Sequence, residues 1–197
     1  MEVDVVFLDR IYTRAGDEGE TSLGDGTRVA KQHPRIATYG GTDELNSIIG
    51  LARSVDVPDP VDAMLATIQN DLFDLGADLC VPGPAEDQTE SEHPPLRVTS
   101  GQVERLESWI DEVNEQLEPL TSFVLPGGSV ASAWLHLART VCRRVEIAVW
   151  SLHETESLNR DILRYLNRLS DLLFVLAQLC NDGGRSGVLW VPGKNRE

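Results

Sequence analysis

From Leu45 onward, apolar residues recur along the chain at intervals of three and four, the spacing of a helix with one buried face. Five such stretches follow one another. Leu45, Ile48, Ile49 and Ala52 form the first, with Thr42 read as its N-cap and Asp43 and Glu44 in the first turn, where carboxylates complement the helix dipole. The second runs from about Pro60 to Cys80, with Pro60 suited to the first helical position and Leu65, Ile68, Leu72, Leu75 and Leu79 on one face. Thr99 and Gln102 make a capping box ahead of the third, which carries Val103, Leu106, Ile110, Val113 and Leu117. Ser129 caps a fourth that extends to about Leu152. Asn159 caps a fifth, with Ile162, Leu163, Leu166, Leu169, Leu172, Leu173, Leu176 and Leu179 along it, and Asn181-Asp182-Gly183-Gly184 stops it.

This pattern predicts an all-α fold, a five-helix bundle with a glycine-rich N-terminal loop. It is read as one domain over 1–197: a loop region at 1–41, the helical bundle at 42–182 and a tail at 183–197. Residues 11–41 interleave Gly16, Gly19, Gly24, Gly26, Gly40 and Gly41 with Thr, Ser and Asp, and read as loop with a short strand at either end. Residues 81–98 are rich in proline and acid and read as a solvated loop. Residues 118–128 end in a Pro-Gly-Gly breaker.

Composition narrows the function. The chain has 197 residues, with Lys+Arg 17 against Asp+Glu 32 and a formal net charge of -15. A basic field for phosphate backbones is missing, which argues against a general nucleic-acid binder. No apolar run approaches the ~18 residues of a membrane span, and Met1–Arg10 lacks the basic start of a secretory signal. The expectation is a cytoplasmic protein. Only Lys31 and Lys194 are lysines. An acid-rich, lysine-poor surface fits a halophilic protein, whose carboxylates stay hydrated while salt screens their repulsion; it also fits a merely acidic one.

Against that background the sequence ARTVCRRVE stands out. Arg139 and Arg143 lie four apart and share a helix face, and Glu146 is within reach of Arg143. Guanidiniums in this arrangement suit a polyanion, because their planar forks meet phosphate oxygens bidentately; a salt-bridge set reads equally well. In TRAGDEGETS, glycines free backbone N–H groups to turn towards an anion, Thr13, Thr21 and Ser22 add hydroxyls, and Arg14 and Lys31 add charge; a surface loop is the plainer reading. It is not a Walker A sequence. Asn167, among Leu163, Leu166 and Leu169, is either a register device or a contact to a ligand phosphate or its magnesium. His136 is expected as a hydrogen-bonded core histidine. Glu90 and His93 have the spacing of a bundle metal site, but the motif lies in a proline-rich loop without a second copy. Cys80, Cys142 and Cys180 read as buried free thiols.

Taken in order, IYTRAGDEGETSL, YGGTDELNSIIGLARS, FVLPGGS, ARTVCRRVE and LRYLNRLSDLLFVLA resemble the ATP:cob(I)alamin adenosyltransferases of the propanediol-utilisation and mitochondrial type, over about residues 11–180. The resemblance implies a homotrimer with ATP between subunits, the glycine loop coming from one and the arginine helix from its neighbour. It implies an ATP site of Thr13, Arg14, Gly16, Thr21, Ser22, Lys31, Arg143, Glu146 and Asn167. Asp43 would pair with Arg139 across the interface, and Phe123 would press on the lower face of the corrin. The implied reaction moves the 5′-deoxyadenosyl group of ATP onto reduced cobalamin and releases triphosphate. Its substrates are ATP, with Mg2+, and cobalamin; its expected partners are a reductase and a cobalamin-dependent acceptor enzyme, with no nucleic acid and no membrane. The family's TKTGDKG loop is here altered at Arg14, Ala15 and Glu18, and its RRAER becomes Arg143-Arg144-Val145-Glu146-Ile147. The alternative is a non-catalytic nucleotide- or cobalamin-binding bundle, a carrier or sensor.

Overall fold

The computed structural model describes residue 12, residues 14–83 and residues 95–196. Thr13, Glu90, His93 and most of the acidic loop lie outside the described residues. Those described form five helices and one small two-stranded sheet: β1 (Glu20–Ser22), β2 (Arg28–Ala30), α1 (Pro34–Arg53), α2 (Asp59–Cys80), α3 (Ser100–Asn114), α4 (Val130–His153) and α5 (Arg160–Leu179). A short 3-10 turn follows at Asp182–Gly184. The fold is therefore mostly helical rather than all-α, with an antiparallel hairpin pairing Glu20 with Ala30 and Ser22 with Arg28.

Helices α2, α4 and α5 begin and end within a residue or so of the positions their apolar spacing predicts, α3 ends at Asn114 short of Leu117, and the caps at Thr99, Ser129 and Asn159 form. The first helix differs. Its N-cap is His33, whose Nδ1 accepts the Arg35 N–H at 3.2 Å, with Pro34 at the first position. Thr42 is not a cap but a buried residue inside the helix, donating its hydroxyl to the Thr38 carbonyl at 3.1 Å. Gly40 and Gly41 look like a break in the sequence, yet a Cβ at Gly41 would come within 3.0 Å of Val145 Cγ2. The glycine lets α1 lie close against α4, and that packing outweighs a helix cost of ~1 kcal/mol.

Helix α1 packs on α2 and α4, and α5 packs on α4 and α3. Between them Leu45, Ile49, Leu65, Ile68, Leu72, Leu106, Leu135, Leu166, Leu169 and Leu173 form the core. Buried charges are paired there, as low-dielectric surroundings require. Asp71 accepts from Arg105 at 2.5 Å, from the Tyr165 hydroxyl at 2.9 Å and from Gln102 at 3.0 Å, which ties α2 to α3 and α5. Arg35, only 1% exposed, donates to the Leu79 carbonyl at 2.6 Å and to Glu156. No described helix is long and apolar enough to cross a membrane.

The tail reaches back to the loop before α4. Leu125 N–H donates to the Val188 carbonyl at 2.8 Å, and Trp190 N–H donates to the Phe123 carbonyl at 2.7 Å, around an antiparallel bridge between Val124 and Leu189. At the base of that loop Gly128 has φ +95, and a Cβ there would sit 2.4 Å from Asn181 Oδ1. Only glycine fits at this crossing.

Candidate active site

Helix α4 carries the arginines. Arg139 is half-buried, with its guanidinium 6.0 Å over the Phe174 ring of α5, and its buried Nε has no partner. One turn earlier His136 meets the edge of the same ring at 6.1 Å. His136 is buried as expected, but its Nδ1 has no hydrogen bond. Burial, and then the charge of Arg139, push its pKa down, so the neutral ring is favoured.

Arg143 is exposed and makes no hydrogen bond or ion pair among the described residues. Arg144 instead pairs with Glu44 of α1. Glu146 does not pair with Arg143. It accepts from Asn167 Nδ2 of α5 at 3.0 Å, and Asn167 Oδ1 in turn accepts from Arg168 at 2.5 Å. The three-residue spacing allowed the arginine contact, but Glu146 is engaged with α5 while Arg143 remains in solvent. Glu146 and Asn167 border an open cavity of about 480 Å³ that also takes in Trp150, His153, Arg160 and Arg164. Asn167 is thus half-buried and committed on both amide atoms.

The glycine loop is folded by its own contacts. Arg14 takes a left-handed backbone, φ 61, and lies 5.6 Å over the Tyr12 ring. Gly16 is covered by Lys31: a Cβ at this glycine would be 3.0 Å from Lys31 Nζ. Arg28 holds the loop shut, donating to the Ala15 carbonyl at 3.0 Å and to Ser22 Oγ at 3.4 Å. Thr21 and Ser22 are neighbours on β1 and so point to opposite faces of the hairpin. The hairpin is fastened to α2 by Gly24 N–H on the Cys80 carbonyl at 2.9 Å. No hydrogen bond or ion pair among the described residues joins this loop to Arg143, Glu146 or Asn167. Asp43 is exposed on α1 and does not pair with Arg139 within the chain.

Phe123 is 77% exposed and tilts against Trp190, with ring centroids 6.0 Å apart. It lines a cavity of about 410 Å³ with Leu120, Ser122, Val124, Arg139 and Phe174. The three cysteines are free, and only Cys142 is fully buried. Its thiol donates to the Leu166 carbonyl at 3.2 Å, and burial holds its pKa far above the ordinary range. Burial pushes Cys180 up to about 11. No group of three or more His, Cys, Asp or Glu among the described residues could hold a metal ion.

The family model for cobalamin adenosyltransferase matches residues 11–180, the span that holds the glycine loop, both arginines, Phe123 and Asn167. The chain belongs to the cobalamin adenosyltransferase family. Within the family it is 48% identical over 194 residues to a corrinoid adenosyltransferase of Mycobacterium tuberculosis, covering 97% of each chain. It is 49% identical over 185 residues to a cobalamin adenosyltransferase of Cupriavidus metallidurans, covering 93% of this chain and 95% of that one. A solved structure of a phenylalanine-to-histidine variant of a PduO-type ATP:corrinoid adenosyltransferase from Lactobacillus reuteri, complexed with cobalamin and ATP, superposes with a TM-score of 0.84 at 34% identity. That match covers 93% of this chain and 97% of the other.

Two features of this adenosyltransferase escape sequence reading. Arg28 lies in a polar run, and nothing local announces that it closes the loop. Trp190 braces Phe123 from 67 residues away in sequence, and such pairing leaves no periodic signal.

Proposed function

We propose that this chain transfers the 5′-deoxyadenosyl group of ATP to cob(I)alamin, giving adenosylcobalamin and triphosphate. The observation that carries the reading is Phe123: a large aromatic ring, 77% exposed, held on a loop fastened at both ends and beside an arginine with an unpartnered Nε. A ring so placed offers a flat apolar face to a flat ligand.

The chemistry asks little of the protein in the way of activation. Reduced cobalt is itself the nucleophile; its electron pair forms the bond to C5′ as the C5′–O bond breaks and the electrons leave with triphosphate. The chain must hold C5′ in line and stabilise charge on the leaving group. Arg143 suits the second task, since among the described residues it is exposed and unpaired while nine other arginines are in ion pairs. Glu146 and Asn167 position the nucleotide; Thr13, Arg14, Gly16, Thr21, Ser22 and Lys31 wrap its phosphates, and Mg2+ travels with them. Because the loop and Arg143 do not meet within one chain, the site is completed by a neighbour in a homotrimer, where Asp43 of one subunit pairs with Arg139 of the next. Phe123 sits under the corrin and keeps a lower axial ligand from cobalt, which eases reduction to the nucleophilic state. The protein works in the cytoplasm, receives electrons from a reductase and passes its product to a cobalamin-dependent enzyme.

The test is to incubate the protein with ATP, magnesium and chemically reduced cobalamin and follow the corrinoid spectrum. Adenosylcobalamin should form; a spectrum that registers binding without conversion would favour a carrier or sensor. Arg143→Ala should lower turnover by a factor of about 100 or more, equivalent to roughly 3 kcal/mol in the barrier, with an unchanged melting temperature. Near-normal turnover would remove Arg143 from the site.

A further inference from the structure

The last turn of α5 holds a polar side chain that the proposed chemistry does not use. Gln178 follows a run of buried residues, Leu172, Leu173, Leu176 and Ala177, and is itself 2% exposed. Neither its Nε2 nor its Oε1 has a hydrogen-bond partner. A buried carboxamide without partners is costly, and an apolar residue of the same length would remove that cost. Gln178 borders a cavity of about 560 Å³ together with Leu120, Phe174, Gly184, Arg185 and Leu189. Leu120 and Phe174 also line the cavity of Phe123 and Arg139, so the two spaces adjoin.

The surroundings of the amide are cut back. Gly184 and Gly187 lie over it, and a Cβ at either would stand 3.7 Å from Oε1. Gly183 and Gly184 both have positive φ, so the turn that covers the amide is backbone with no side chain in the way. Two charged residues, Arg185 and Glu118, also line this cavity; Arg185 is paired with Asp182 at 2.7 Å, and neither calls for a carboxylate.

We infer that Gln178 is the receptor for a primary carboxamide on the rim of the corrinoid, and so determines which corrinoids the site accepts. A primary amide presents a donor and an acceptor side by side, and its best complement is a second primary amide, joined by two antiparallel N–H···O bonds. The edge of the cobalamin corrin carries such amides. With the ring lying on Phe123, an amide arm entering the adjoining cavity meets Gln178 as the glycine turn shifts. A carboxylate arm offers acceptors only, leaves Oε1 unpaired and is rejected. This inference rests on the proposed corrin position at Phe123.

The experiment titrates cobinamide, whose rim is amidated, and cobyrinic acid, whose rim arms are carboxylates, into the ATP-loaded protein and follows the corrinoid spectrum. Wild type should favour the amidated corrinoid by about tenfold or more. Gln178→Met should lose most of that preference while its affinity for ATP, measured separately, stays within about twofold. Should Gln178→Met fold poorly, Gln178→Glu keeps the shape but replaces the amide donor with a second acceptor, and should weaken cobinamide binding about tenfold. Unchanged selectivity in Gln178→Met, or unchanged cobinamide affinity in Gln178→Glu, would make Gln178 a structural residue and overturn the inference. A wild type that binds both corrinoids equally overturns it as well. A wild type that binds neither corrinoid but still binds ATP brings down the corrin position itself, which is a different failure.

Discussion

At the scale of single residues, Phe123 and His136 separate two kinds of aromatic side chain in the same neighbourhood. Phe123 is exposed and touches Trp190, so truncation removes little buried surface. Phe123→Ala should cost under about 1 kcal/mol in a denaturant melt, well short of a core phenylalanine. Its turnover should fall most when cobalt(II) must be reduced on the enzyme and least when fully reduced cobalamin is supplied. Equal losses in the two assays, with a large stability drop, would make Phe123 a packing residue and not a corrin contact. His136 is the reverse case, buried beside Arg139 and Phe174 with its pKa depressed, first by burial and then by Arg139. Its unfolded value is about 6.5, so the unfolded chain takes up the proton more readily than the folded one. The stability it contributes is therefore full above about pH 6.5 and is lost as pH falls through the lowered folded value. Melting temperatures between pH 8 and 5 should fall across that window in wild type and fall less steeply in His136→Leu; matching slopes would acquit the histidine.

At the scale of elements, the structure divides into parts the sequence announces and parts it hides. Helices α2 to α5 were legible because each lays a single apolar stripe against the core, and α3 to α5 begin at a recognisable cap while α2 begins at a proline. The start of α1 was not, because Gly40-Gly41 carries the mark of a breaker while its actual purpose is close approach to α4. Arg139 and Arg143 stood out as arginines clustered in an acidic bundle, whereas Phe123 was singled out only by the family resemblance. Gln178 was not, since one amide among leucines in a helical stripe has no local signature, and its isolation appears only when its neighbours are known. The buried start of α1 offers a test of packing. Arg35 joins α1 to the end of α2 through the Leu79 carbonyl and to the segment before α5 through Glu156. Arg35→Ala should destabilise the fold by about 3–5 kcal/mol, because it strands a partly buried Glu156 and an unpaired carbonyl. Chemical denaturation measures it, and a loss below 1 kcal/mol would mean that water replaces the guanidinium without difficulty.

At the scale of the whole molecule, the balance of charge governs behaviour. Among the described residues nine arginines are spent on ion pairs, and a surplus of carboxylates lies behind the net charge of -15. At ~0.01 M salt the Debye length reaches ~30 Å, comparable to the bundle, and the repulsion acts across it. The melting temperature should climb with potassium chloride into the molar range, and sedimentation in that range should give a trimer. A melting temperature indifferent to salt would make the composition incidental, and a fully active monomer would remove the shared site.

The tail has a consequence of its own. The family match closes at residue 180, whereas the backing of Phe123 comes from Val188, Leu189 and Trp190. The helices that make the core and the stretch that backs the aromatic ring are thus different pieces of chain. Changes in residues 185–197 can tilt that ring by degrees while the buried side chains of the bundle stay in place. On the proposed corrin position at Phe123, such a set-screw would adjust the grip on the metallocycle without touching the proposed nucleotide residues.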